Sequence, residues 1–123
     1  MAKITVTTGE APYGTQRPYT MMRFVLAALS EGHGVNLFLF EDAVAMAKKG
    51  QKTPDFPGVL NEKMPNAEEL LAAGIKAGAV VRACGVCCQE RAIKQEEMIE
   101  GAVISGMKDL VEWVAESDKV VSF

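Results

Sequence analysis

The sequence predicts an α/β protein: a single three-layer α/β/α domain over residues 1–123, with a mainly parallel sheet of four to five strands. Three observations predict it. Short β-branched or apolar runs alternate with longer helix-forming stretches, the order expected of βαβ units. Two of the runs, "VNLFLF" (Val35 to Phe40) and "AVVRAC" (Ala79 to Cys84), are almost continuously apolar, as strands covered on both faces are. No repeat, low-complexity tract or linker divides the chain, and its 123 residues suffice for one continuous core.

Each element follows from local pattern. Lys3 to Thr8 ("KITVTT") alternates and is β-branched, so it reads as a strand, followed by a Pro/Gly-punctuated loop from Gly9 to Gln16. Arg17 to Glu31 forms a helix that is apolar around much of its circumference and is ended by "GHG". After the strand Val35 to Phe40 comes a short helix, Glu41 to Lys49, closed by Gly50. Gln51 to Pro65, with three prolines, reads as a loop of the length often used as a lid or binding segment. Asn66 caps a helix to about Ala77, and Glu69 stands at the capping-box spacing. The strand Ala79 to Cys84 leads into a helix that fades near Ile93. "GAVI" (Gly101 to Ile104) is a short fourth strand, Ser105 caps a helix through Glu116, and "KVVSF" (Lys119 to Phe123) is the closing strand. Met107, Leu110, Val111 and Val114 fall at helical spacing; Met21, Met22 and Trp113 read as core or subunit contact.

Composition excludes several function classes. Hydrophobic residues make up 49% and charged residues 24%, with a net charge of −3 and no basic stripe, which argues against direct contact with nucleic acid. No apolar run is long enough for a bilayer, and the N-terminus lacks the apolar region of an export signal, so the expected compartment is the cytoplasm. Cysteines are reduced there, and no structural disulfide is expected.

In a parallel α/β sheet the ligand site lies beyond the carboxyl ends of the strands. That rule gathers the loops at Gly9, at Glu41 and at Cys84 on one edge. Cys84, Cys87 and Cys88, the only cysteines, therefore stand on the functional rim. Cys84 ends a strand where a helix begins, and backbone N–H groups there, from Gly85 on, favour a thiolate. Arg82 shares a sheet face with Cys84, and Arg91 follows the other cysteines at helical spacing, so either guanidinium can add positive potential. Cys87 and Cys88 return to the face of Cys84, which makes "CGVC" a candidate redox pair.

Other readings are weaker. Three thiolates lack a fourth zinc ligand nearby, since the single histidine, His33, lies at the end of the first helix, and no metal or cofactor is expected. A thioredoxin would carry a later proline facing its pair, and none follows Pro65. "GEAPYGTQR" has glycines at phosphate-loop spacing, Gly9 and Gly14, but lacks the Walker lysine. This rim loop, with Tyr13, Thr15 and Arg17, is left as an anion cradle or a plain turn. His33 reads as an exposed helix cap and "QEEMIE" (Gln95 to Glu100) as a solvated face.

"TVTTGEAPYGTQRPYTMMRFVLAAL" and "VVRACGVCCQERAI" resemble the first βα unit and the strand-and-cysteine element of the DsrE/DsrF-like (TusD-like) proteins. The resemblance extends through most of the chain. It implies a small α/β/α domain assembled as a homotrimer or hexamer, in which the cysteine ending this strand carries sulfur as a persulfide. Cys84 alone matches that position; Cys87 and Cys88 stand where the pattern has small apolar residues. The expected function is thus a sulfur carrier or sulfurtransferase-like protein, taking sulfane sulfur on Cys84 from a donor protein or small polysulfide and passing it to an acceptor thiol. Such a carrier needs Cys84 exposed. Two alternatives stand beside it: a non-catalytic oligomeric module for a small ligand or partner, and a thiol–disulfide protein pairing Cys84 with Cys87 or Cys88.

Overall fold

The computed structural model describes residues 1–52 and 64–123, so most of the expected loop Gln51 to Pro65 lies outside the described residues. Its elements are β1 (Lys3–Thr8), α1 (Arg17–Ser30), β2 (Gly34–Leu39), a 3-10 turn (Glu41–Ala47), α2 (Ala67–Lys76) and β3 (Val80–Cys84). They continue with α3 (Gly85–Glu90), a second 3-10 turn (Gln95–Glu97), β4 (Ala102–Ser105), α4 (Met107–Glu116) and β5 (Lys119–Ser122). The strands form one five-stranded parallel sheet in the order β4-β3-β2-β1-β5.

That order fixes the layers. Successive right-handed crossovers from β1 to β4 all step the same way and lay α1, α2 and α3 on one face. The connection from β4 must return across the sheet to β5 at the far edge, which puts α4 alone on the other face. Side chains alternate accordingly. Ile4, Val6, Val35, Leu37, Leu39, Val81 and Ala83 point at the three-helix face and are buried, together with Met21, Met22, Val25 and Leu71 from the helices. The methionine pair is therefore core. Thr5, Asn36, Phe38 and Arg82 point at α4, whose Trp113 stacks edge-on against Phe38 with ring centroids 6.1 Å apart.

Close approach explains two glycines. A Cβ on Gly74 would lie 2.8 Å from the Met22 side chain, so α1 and α2 touch there without one. Gly101 enters β4 at φ 94, and a Cβ would lie 2.7 Å from Ile75 of α2. The capping box on α2 is present: Asn66 Oδ1 accepts from the Glu69 amide at 2.9 Å, and Glu69 accepts from the Asn66 amide.

Several local readings need correction. The short helix expected over Glu41 to Lys49 is a 3-10 helix that ends earlier, at Ala47, and it is set off by Glu41 in the left-handed region at φ 52. Ser105 is consumed by β4, so Gly106 stands at the start of α4 with no side-chain cap. α3 stops at Glu90 in a Schellman turn, with Ile93 N–H donating to the Cys88 carbonyl and Ala92 at φ 54 where glycine is usual. His33 is half-buried and accepts from the Ala2 amide at 2.9 Å, so it is not a free surface cap. The segment Gln95 to Glu100 is only partly solvated. Met98 and Ile99 are buried, and the Gln95 amide bonds the Ala102 carbonyl and the Ile104 N–H, covering the outer edge of β4.

Candidate functional site

Because every strand is parallel, the carboxyl ends of β1, β2, β3 and β4 share one rim. The loop at Gly9 meets the turn after β2 there: a Cβ on Gly9 would lie 3.0 Å from Phe40 and 3.3 Å from the Glu41 carboxylate. The remainder of that loop leads elsewhere. Tyr13 donates its hydroxyl to Gln51 Oε1 at 2.6 Å and accepts from the Ala67 amide, which ties the loop to the start of α2. Gly14 adopts φ 108, and Thr15 and Arg17 are exposed beside it. Gln51 is the hub on this side, with its amide nitrogen donating to the carbonyls of Met46 and Lys48. No signal in the sequence marks it.

The three cysteines are free thiols in three different settings. Cys84, the last residue of β3, is 5% exposed and pairs in register with Ser105 of β4. Alternation puts the two side chains on the same sheet face. The Ser105 hydroxyl is buried and has no hydrogen-bond partner among the described residues. Cys88 is 1% exposed and faces the core, where burial first, and the neighbouring thiols second, push its pKa up to about 11. Cys87 is half-buried at the surface. Its thiol lies close enough to Cys84 and to the Glu41 amide for both to act on its ionisation. Burial dominates and raises the Cys87 pKa, with the Glu41 amide and the Arg91 charge opposing it.

The expectation of an exposed Cys84 is therefore not met within one chain; the more accessible thiol is the half-buried Cys87. The left-handed backbone at Glu41 is the kind of strain that accumulates at working sites, and it places that amide at Cys87. Reasoning from sequence does not find Glu41 or Ser105, because one acts through its backbone and the other through strand register.

The two arginines divide. Arg91 bonds the Cys87 carbonyl through Nη1 at 3.1 Å and is held by Asp42, with Nη2 2.9 Å from Oδ1. Its charge acts on the Cys87 and Cys88 thiols, although α3 ends before it. Arg82 instead lays its guanidinium over the Trp113 ring, 5.7 Å from the centroid, and donates to the Val81 carbonyl. Gly85 allows α3 to lie close on β4: a Cβ there would be 3.4 Å from Ile104 and 3.5 Å from the Ser105 carbonyl. Among the described residues, no three His, Cys, Asp or Glu side chains converge as a metal site.

Residues 2–123 match the model of the DsrE/DsrF-like family. The chain belongs to that family. The family is associated with sulfur relay in general. Among relatives, the uncharacterised protein MJ0989 of Methanocaldococcus jannaschii is 48% identical over 121 residues, covering 98% of this chain and 99% of its own. Protein YchN of Escherichia coli is 29% identical over 125 residues, covering both chains in full. The crystal structure of the E. coli protein superposes with a TM-score of 0.87 at 27% identity over the whole of each chain. A protein of unknown function from Methanobacterium thermoautotrophicum, MTH1491, shares the fold at a TM-score of 0.77 and 9% identity over both full chains. The DsrE-like α/β fold expected from the sequence is thus the fold observed. No helix among the described residues is long and apolar enough to cross a membrane.

Proposed function

We propose that this chain is a sulfur carrier, or sulfurtransferase-like protein, that holds sulfane sulfur as a persulfide on Cys84 and passes it to an acceptor thiol. The observation that carries the proposal is the position of Cys84: it ends β3 on the carboxyl rim of a DsrE-like sheet, with Cys87 one helical turn on. A thiolate at Cys84 attacks the outer sulfur of a donor persulfide or a small polysulfide, and the donor leaves as a thiolate or a shorter polysulfide. Delivery is the same displacement run outward. The partners are donor and acceptor proteins, or a small polysulfide as donor. A homotrimer or hexamer fits the apolar side chains of Met107, Val111 and Val114 left exposed along α4.

The nearness of Cys87 to Cys84, enough for each thiol to influence the other's ionisation, also favours a second reading. If Cys87 attacks the inner sulfur of the persulfide, hydrosulfide leaves and a Cys84–Cys87 disulfide remains, so the sulfane sulfur is reduced and the two thiols are oxidised.

The test is fragment-resolved mass spectrometry after exposure to a sulfane-sulfur donor and removal of the excess, since all three cysteines fall between Arg82 and Arg91 and share one tryptic peptide. One added sulfur on Cys84, released by reductant and handed to an acceptor thiol, is the expected result. Cys84→Ser should abolish delivery while leaving the fold intact; delivery that survives it would sink the assignment. A loss of two hydrogens bridging Cys84 and Cys87 selects the second reading.

A further inference from the structure

We propose that sulfur does not reach Cys84 directly: Cys87 is the thiol that meets the donor, and it passes the sulfane sulfur inward to Cys84, where the Ser105 hydroxyl receives it. The inference rests on the carrier reading of Cys84 and adds a route. Three observations carry it. Cys84 is 5% exposed, whereas Cys87, one helical turn on, is only half-buried and close enough for the two thiols to influence each other. The Glu41 amide and Arg91, which is anchored by Asp42 and bonded to the Cys87 carbonyl, stand beside Cys87 and oppose the burial that raises its pKa. Ser105, register partner of Cys84, holds a buried hydroxyl with no partner among the described residues, a donor left without an acceptor. Cys88 takes no part, because at 1% exposure it faces the core.

The chemistry balances without an oxidant. In the first step the Cys87 thiolate attacks the terminal sulfur of a donor persulfide; the donor's S–S bond breaks and its thiolate leaves carrying the electron pair. Cys87 now bears S–S⁻. In the second step the Cys84 sulfur attacks that terminal sulfur, the Cys87 S–S bond breaks, and the proton of the Cys84 thiol passes to the departing Cys87 sulfur. The products are Cys84–S–S⁻ and Cys87–SH, with no net change in oxidation state. The new anion lies beside the Ser105 O–H, which then has the acceptor it lacks.

The experiment follows single-turnover loading from glutathione persulfide, with the sulfur assigned to individual cysteines by fragmentation. Cys87→Ser should slow loading of Cys84 on the order of tenfold or more, because only a buried thiol remains. Cys84→Ser should trap the sulfur on Cys87. Ser105→Ala should shorten the lifetime of the Cys84 load on the order of tenfold, the usual effect of losing a hydrogen bond to a charged group. Thermal melts confirm that each variant is folded; Cys87 is half-buried and serine is its near-isostere, so that variant keeps the readout valid. Loading of Cys84 at the wild-type rate in Cys87→Ser would overturn the relay and leave Cys84 a carrier. A Cys84–Cys87 disulfide with release of sulfide would overturn it in favour of reduction. Failure of the wild-type chain to load either cysteine would overturn the carrier reading and the relay with it.

Discussion

The two faces of the sheet are built from the same strands by different rules. Toward α1, α2 and α3 the strands present mainly aliphatic side chains, with Thr8 at the rim and Lys119 on the edge strand the exceptions, and every one of Val6, Leu37, Leu39, Val81 and Ala83 is sealed from water. Toward α4 they present Thr5, Thr7, Asn36 and Arg82, with Phe38 the large apolar exception. The threonines bond Ser117 and Ser122, and the guanidinium lies on Trp113. No residue of α4 is buried, and Val80, Val103 and Val120 stay exposed on the strands around it. Topology causes the difference. Three crossovers in one direction supply three covering helices, and the single return supplies one of ten residues. The lesson concerns chemistry as well as packing, because the reactive rim belongs to both: Cys88 faces the closed core, whereas Cys84 and Ser105 lie on the side of the polar, thinly covered face.

The largest expected effect breaks the closed face. Leu71 of α2 is fully buried in the core cluster, and Leu71→Ala removes three carbons from a site enclosed on all sides. It should cost about 2–5 kcal/mol, read from the midpoint of denaturant unfolding. A cost below about 1 kcal/mol would mean that this face relaxes as freely as the other, and the contrast would fail.

Much of this contrast is legible in the amino-acid sequence, and the part that is not has definable causes. β2 and β3 announce themselves by nearly continuous apolar runs and β1 by its β-branched alternation, and the capping box on α2 is a local hydrogen-bond pattern. The rim position of the cysteines follows from strand direction alone. Yet two stops are invisible. Glu41 and Ala92 take left-handed backbone without glycine, so the 3-10 turn and the early end of α3 carry no sequence signal. The depth of each thiol is a tertiary property as well. Spacing puts Cys87 and Cys88 equally near Cys84, and only the packing of α3 sends one to the surface and the other to the core. The same holds for Ser105: its pairing with Cys84 depends on the register of β4, a strand of four residues.

A second, smaller effect sharpens the closed side through pH. The Cys88 thiol is raised by burial to about 11 from an ordinary 9.0, so the folded chain keeps a proton that the unfolded chain loses. Its contribution to stability is complete below the unfolded value and is lost as pH rises through the folded one. Unfolding midpoints measured in reductant from about pH 8 to about pH 11 should therefore fall more steeply in the wild-type chain than in Cys88→Ala. Identical slopes would show that Cys88 does not sit in the closed core. Cys87, raised in the same direction, remains in both proteins and cancels from the comparison.

The smallest effect on the single chain tests the open face. Val111 is 62% exposed on α4, and Val111→Glu gives up little buried surface and introduces a residue with good helix propensity. On the isolated chain the change should stay within about 0.5 kcal/mol. If Met107, Val111 and Val114 are covered by another copy, however, the charge is buried there without a partner, and association is lost. Stability that depends on assembly depends on protein concentration. The thermal midpoint of the wild-type chain should therefore rise with concentration while that of Val111→Glu does not, and light scattering should give the variant a mass near 13.2 kDa. A wild-type midpoint independent of concentration, with a mass of one chain, would remove subunit contact as the reason this face is left apolar. The rim would then have to work within one chain.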